Sequence, residues 1–221
     1  ERKVIFEEMK MDRDNLVRYS FDKIQSFLYE NPLGAPLIGT HESMNSIDRK
    51  KMLKKFKSVY KPGSMILCVV GNADFEELAR FAERNFGKQK GKAKRQKIVL
   101  KNESKTETRK GIDQANMMLA FHSPLSTDKR IYAMKVLMAL MAYGMSSRLF
   151  QEIRDKRNLA YSIFGDTNSN KYFSYSYIYA GAMKENVGKI KKIILDEFKK
   201  ASKKLEKKRK PFHSSTIYLI A

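Results

Sequence analysis

Apolar residues recur every three to four positions from the start of the chain: Val4, Met11, Leu16 and Val17, then Ile24, Phe27 and Leu28. That spacing keeps one side of a helix apolar and predicts a long helix over residues 1–29. No capping residue stands ahead of it. About four N–H groups are then left without partners, so the chain reads as a piece of a longer protein that begins inside an element. Residues 31–40 hold two prolines and two glycines and predict a loop. Ser46 is placed to cap a helix over 47–59, with Met52, Leu53 and Phe56 on its apolar side. Lys61-Pro62-Gly63 predicts a turn.

The pattern then changes. Met65-Ile66-Leu67-Cys68-Val69-Val70-Gly71 is short, continuously apolar and β-rich, which predicts a buried strand with Cys68 as a packed core thiol. Asp74 caps a predicted helix with Leu78, Phe81, Ala82 and Phe86 inward, and Gly87 stops it. Residues 88–97 are a linker by composition. A strand is predicted over 115–121, then a helix packed through Met134, Leu137, Met138 and Met141 that Gly144 ends. A short helix follows, with Leu149, Phe150 and Ile153 on one side. Residues 172–181 alternate aromatic with small residues, a period of two and hence a strand. Residues 186–198 predict a helix with Val187, Ile190, Ile193 and Ile194 inward. Its lysine-rich extension reaches Lys210 before Pro211 ends it. Strand–helix units on both sides of a linker indicate an α+β protein with related halves.

Composition narrows the classes. The 221 residues are 42% hydrophobic and 31% charged, enough apolar material for a core. No apolar run approaches the ~20 residues that cross a bilayer. One cysteine excludes a disulfide within the chain and a cysteine-only zinc site, and three scattered histidines exclude a local histidine-pair metal motif. The net charge of +21 is concentrated: residues 88–110 and 184–210 each carry +8. Such segments serve as solvated linkers and helix faces, or as contacts to nucleic acid. With no groove-reading motif and no aromatic–basic RNA signature, nucleic-acid binding ranks below the solvated reading.

Two segments carry candidate chemistry. In the opening helix Glu1, Val4, Ile5 and Glu8 fall on one broad face, stacking two carboxylates two turns apart. Carboxylates so placed ligate divalent cations, though acidic residues near a helix start also serve its dipole. In Ser146 to Ser162, Arg154 and Tyr161 lie across a helix end and the start of the next strand. A guanidinium and a phenol at one spot can stabilise a developing oxyanion, and the same pair also occurs as a surface ion and a packed ring.

In this order the segments resemble the insulinase/pitrilysin family of zinc metallopeptidases, which includes the mitochondrial processing peptidases. Glu1-Arg2 to Glu8-Met9 resembles its third-ligand helix, and Pro32-Leu33-Gly34 with Ile38-Gly39-Thr40 the loop after it. Lys61 to Met65 and Val70 to Asp74 resemble its strand that leads into a helix. Ser146 to Ser162 is the most specific stretch, and Ala180-Gly181 with Glu185-Asn186 resembles the next strand–helix junction. The resemblance implies a zinc-dependent endopeptidase that cleaves peptides or unfolded polypeptides in a closed chamber. It makes Glu8 the third zinc ligand, Glu1 an acidic support of the zinc site, and Arg154 and Tyr161 the groups that hold the substrate carbonyl.

The family's His-x-x-Glu-His motif is absent from the 221 residues; the family places it ahead of Glu8, before residue 1. Either the chain is a fragment of an active enzyme or it is part of a partner subunit without zinc. Tight zinc binding by these residues alone is not expected. The implied organisation is residues 1–87 as the later part of a first peptidase-like subdomain, incomplete at its N-terminus, and 88–110 as a basic linker. Residues 111–210 form a second subdomain, complete or truncated, and 211–221 a tail that is either a strand or foreign to the fold. A homodimer or a heterodimer with a related subunit and a cytoplasmic location are expected, and neither a membrane nor a nucleic acid is an expected partner.

Overall fold

A computed structural model describes residues 1–87, 91, 97–205 and 216–220. The elements fall into two compact units, Glu1–Ile38 with Ile98–Ala221, and Gly39–Lys97.

The first unit is built on a five-stranded sheet of order β1-β5-β2-β4-β3, in which β1 is Lys105–Glu107, β2 Gln114–His122, β3 Ala160–Ser169, β4 Ser174–Met183 and β5 Thr216–Ile220. Strands β2, β4 and β3 are antiparallel neighbours; β5 pairs antiparallel with β2 and parallel with β1. Residues 216–220 are thus a strand of this sheet.

Burial along β2 is nearly unbroken because both faces of the sheet are covered. Met117, Leu119 and Phe121 face one layer with Ile163, Ile178 and Ala180. That layer holds α6 (Arg130–Ala142), a π-helical turn (Phe150–Asp155) and α7 (Val187–Leu205). Met138 and Met141 are fully buried there, the packing role expected of the methionines, and Gly144 ends the segment at φ 78°. Lys189, Lys191, Lys192 and Lys199 lie on the exposed side of α7, opposite Ile190 and Ile194. Met118, Ala120, Tyr175 and Tyr179 face the other layer, where Ile24, Phe27 and Leu28 of α2 (Leu16–Leu28) cover them, with Tyr29 just beyond its end. The aromatic alternation of β4 is therefore a buried face. Tyr29 donates its hydroxyl to the Ser174 carbonyl at 3.0 Å, and burial pushes the Tyr29, Tyr175 and Tyr179 phenols up from their ordinary value.

Several expectations are corrected. The single helix over 1–29 is two: α1 (Arg2–Asp14) ends at extended Asn15, whose side-chain oxygen accepts the Arg18 N–H at 3.0 Å and starts α2. Asparagine forms this cap because its side chain replaces the missing backbone acceptor. The boundary after residue 87 is not the one the packing makes, since α2 buries its apolar side against the sheet of the later residues. Half of the expected linker is built into that unit: Lys101 N–H reaches Leu28 O, Glu103 N–H reaches Phe27 O, and Leu100 bridges Tyr29. Arg109 lies 4.1 Å over the Tyr19 ring and pairs with Glu107, which accepts the Tyr19 hydroxyl at 3.0 Å. The rest of the linker lies almost wholly outside the described residues, as does the end of the lysine-rich helix at Pro211.

In the second unit Ser46 is no N-cap. It ends α3 (His41–Ser46), which Thr40 caps, while Asp48 caps α4 (Arg49–Val59) by accepting Lys51 N–H at 2.6 Å. Helix α5 (Phe75–Phe86) starts at Asp74 and is followed by Gly87 as the sequence predicts. The apolar run after Ser64 is not a strand and Cys68 is exposed, not packed. Its backbone has no ladder partner among the described residues, and a strand exists only by pairing.

Candidate functional site

The most specific stretch of the sequence has a distinctive local structure. After Gly144 the chain anchors Leu149 and Ile153, both fully buried, and widens into the π-helical turn. Single π turns concentrate at functional positions. Lys156 N–H returns to Gln151 O at 3.0 Å, Asn158 N–H to Arg154 O at 2.9 Å and Leu159 N–H to Ile153 O at 2.9 Å. Asn158 makes the exit at φ 50°, a left-handed conformation that asparagine tolerates.

Tyr161 follows in an irregular position. Ala160 pairs with Ala182 and Ser162 with Gly181, so two successive residues of β4 face three of β3. Tyr161 is the extra residue of a β-bulge on an edge strand, and its side chain is 51% exposed. Bulges re-aim a side chain out of the regular alternation. The bulge sits where Gly181 leaves room: a Cβ there would lie 3.0 Å from Ser162 Oγ and 3.3 Å from the Tyr179 hydroxyl oxygen. Tyr179 in turn donates to Asn116.

Most of the charges around this turn are paired off. Glu152 takes Lys156 Nζ and Arg157 Nη1, each at 2.5 Å, and these two cations hold its carboxyl down to about 2. Arg148 is tied to Glu197 at 2.6 Å. Arg154 has no carboxylate partner among the described residues; it is exposed, with its guanidinium carbon 5.0 Å from the Phe150 ring centroid. One cation within the turn and one phenol early in β3 are thus both open to solvent. The i,i+4 spacing of Glu152 and Lys156 is legible in sequence, but the Arg148–Glu197 pair, the π turn and the bulge carry no such signal.

Glu1 is the first residue of the chain and Glu8 lies on α1; both are exposed. Among the described residues neither makes a hydrogen bond or ion pair with Arg154 or Tyr161. Nor do any three His, Cys, Asp or Glu side chains come together to hold a metal. A zinc site needs about three protein donors, and no such group forms among the described residues, so the residues present do not make up that site.

The family model described as the Peptidase M16 inactive domain matches residues 46–209. An uncharacterized zinc protease of Streptomyces coelicolor is 30% identical over 209 residues, covering 89% of this chain and 45% of that protein. One of Rickettsia felis is also 30% identical, covering 93% of this chain and 50% of that protein. The crystal structure of a peptidase M16 inactive domain from Pseudomonas fluorescens superposes with a TM-score of 0.76 at 19% identity, over 91% of this chain and 50% of that one. The chain thus spans about half the length of the curated relatives it matches. By a match that runs through most of its residues, it belongs to the M16 peptidase family, in the part described as the inactive domain.

Proposed function

We propose that this chain forms the substrate-holding part of an M16-type metalloendopeptidase acting on peptides or unfolded polypeptides. The observation that carries the reading is that one segment exposes two donors: Arg154 in the π turn, with no carboxylate partner among the described residues, and Tyr161 at the β-bulge that follows. Both groups are donors open to solvent. A peptide carbonyl lying against them would accept from the guanidinium and the phenol, and charge developing on that oxygen would strengthen both bonds. Relatives named as zinc proteases support the class of reaction. Since the described residues do not assemble a zinc site, water activation belongs to protein outside them, and Glu8 is at most one ligand of that centre.

The test uses the polypeptide extended to the length of the relatives. Cleavage of an unfolded protein that stops on chelation is expected, with zinc content and activity both lost in Glu8→Gln. A Glu8→Gln protein that keeps zinc and full activity overturns the ligand role. A second reading, a non-hydrolytic partner subunit, is favoured by the description of the matched family domain as inactive. It is distinguished by an extended protein that carries no zinc yet raises the peptidase activity of a zinc-bearing partner, an effect lost in Arg154→Ala.

A further inference from the structure

The segment that leaves the π turn meets the start of α7 along a groove. Arg157 and Leu159 line one side of it and Lys189, Lys192, Ile193 and Asp196 the other, around a volume of about 500 Å³. The four helix residues recur at steps of three and four, so they share one side of α7. Asn186 Nδ2 donates to Leu159 O at 3.3 Å and ties the two walls together. Leu159 and Ile193 are packed against the core and give the groove an apolar lining, while its charged residues are exposed.

Charge in the groove is unbalanced. Three cations line it against one carboxylate. Arg157 is engaged: its Nη1 lies 2.5 Å from Glu152 Oε2 and 2.6 Å from the Glu152 carbonyl oxygen. Lys189 and Lys192 have no carboxylate partner among the described residues, although Asp196 stands one turn from Lys192. Lys189 also lies in the first turn of α7, which holds no acidic residue. That end of a helix carries partial positive charge, so a cation there is unfavourable and an anion is favoured. The rest of the lining selects the anion. It has no aromatic side chain to stack on a base, and Asp196 repels a continuous run of phosphates. A single carboxylate can sit by the lysines clear of Asp196, and its apolar neighbours can rest on Leu159 and Ile193. This is the chemistry of an acidic polypeptide segment.

The groove adjoins the candidate site. Leu159 is two residues from Tyr161 and Arg157 three from Arg154, spans of at most ~7 Å and ~11 Å of chain. An extended peptide rises about 3.3 Å per residue, so side chains two or three residues from a carbonyl held at Arg154 and Tyr161 come within reach of the groove. We propose that the groove is a specificity subsite in which Lys189 and Lys192 hold an acidic side chain two or three residues from the scissile bond of the bound polypeptide. This rests on the reading of Arg154 and Tyr161 as the groups that hold the carbonyl, and it adds the kind of sequence the site prefers.

With the polypeptide extended to the length of the relatives, kcat/KM is compared for unfolded peptides that differ only in carrying Glu, Gln or Lys at those positions. Glu is expected to be favoured about tenfold over Gln at low salt, through KM, and the advantage to vanish near 1 M salt, where screening acts within about 3 Å. Lys189→Glu with Lys192→Glu is expected to reverse the order and favour Lys; a variant that had lost its fold would cleave all three poorly without reversing them. Lys192→Gln, a smaller change, is expected to cut the Glu advantage to about threefold. A second arm needs no cleavage: fluorescence anisotropy of a labelled Leu-Ala-Glu peptide and of its Gln counterpart on the 221-residue chain. The Glu peptide is expected to bind about tenfold tighter, and the double variant to bind it more weakly than the Gln peptide. Equal binding of the two overturns the proposal, as does a Glu preference that the double variant keeps. So does an oligonucleotide of the same charge that displaces the Glu peptide better than the unlabelled peptide does, which would make nucleic acid the occupant. The two readings fail separately. Glu-selective binding without cleavage by the extended protein leaves the groove as an acidic-peptide site and counts against the peptidase reading; cleavage indifferent to Glu, Gln and Lys counts against the groove.

Discussion

Arg148 and Glu197, 49 positions apart, are joined by two bonds to one oxygen: Arg148 Nη2 and Nε lie 2.6 Å and 3.0 Å from Glu197 Oε2. The other carboxylate oxygen takes Lys200 Nζ at 2.6 Å. Glu197 is 3% exposed on the inner side of α7, so this pair fastens the helix to the segment that leads into the π turn.

The pair has a pH signature. Burial acts to raise the Glu197 carboxyl, but the bonds from Lys200 and Arg148 outweigh it and hold the group below its ordinary value. A carboxyl lower in the folded than in the unfolded state adds stability that is fully present above the unfolded value, about 4.3, and fades as the pH falls through the folded one. Thermal melts are expected to lose midpoint below about pH 4.3, and Glu197→Gln to remove part of that acid slope. At neutral pH the variant is expected to lose about 1–3 kcal/mol, measured by urea unfolding.

Tyr161→Phe separates chemistry from folding. Its side chain is half exposed at the bulge, so stability is expected to change by less than about 0.5 kcal/mol. In the extended polypeptide with metal content unchanged, kcat is expected to fall about a hundredfold if the phenol donates to the developing oxyanion. Metal analysis beside steady-state kinetics reads both effects; an unchanged kcat removes the phenol from the site.

Gly165 marks a close approach. A Cβ there would run into the Tyr177 carbonyl oxygen and come within 2.9 Å of Ala142 Cβ and 3.2 Å of Ile178 Cγ1. Helix α6 therefore lies on β3 at a distance that only glycine permits. Gly165→Ala is expected to cost about 1–3 kcal/mol, checked by denaturant unfolding followed through the sheet.

Asn15→Ala tests the break between α1 and α2. The Arg18 N–H loses its side-chain acceptor, with a loss of about 1 kcal/mol expected. The loss should be local, seen as faster amide exchange at the start of α2 with β2 unaffected.

Much of the fold is legible along the chain. The methionine spacing of α6, the alternation of β4, the caps at Asp74 and Gly87 and the inward isoleucines of α7 are local patterns, and each repeats the geometry of its own element. Arg154 and Tyr161 were named through the resemblance; the structure places Arg154 in the π turn and Tyr161 at the bulge, and neither the turn nor the bulge has a local pattern that announces it. Glu8 was named the same way, but the sequence could not say what would stand beside it.

What the sequence by itself determined is which stretches are amphipathic, which residues cap them and which segment bears the candidate cation and phenol, because these depend on neighbours within a few positions. Only the tertiary structure decided that α2 closes the sheet of the later residues, that Arg148 meets Glu197, and that the apolar run around Cys68 stands open. Each of these depends on which surfaces meet across long separations. Two apolar stripes of the same period are interchangeable in a sequence, and only packing, where shape and buried polar partners must fit at once, assigns one to a core and leaves the other uncovered.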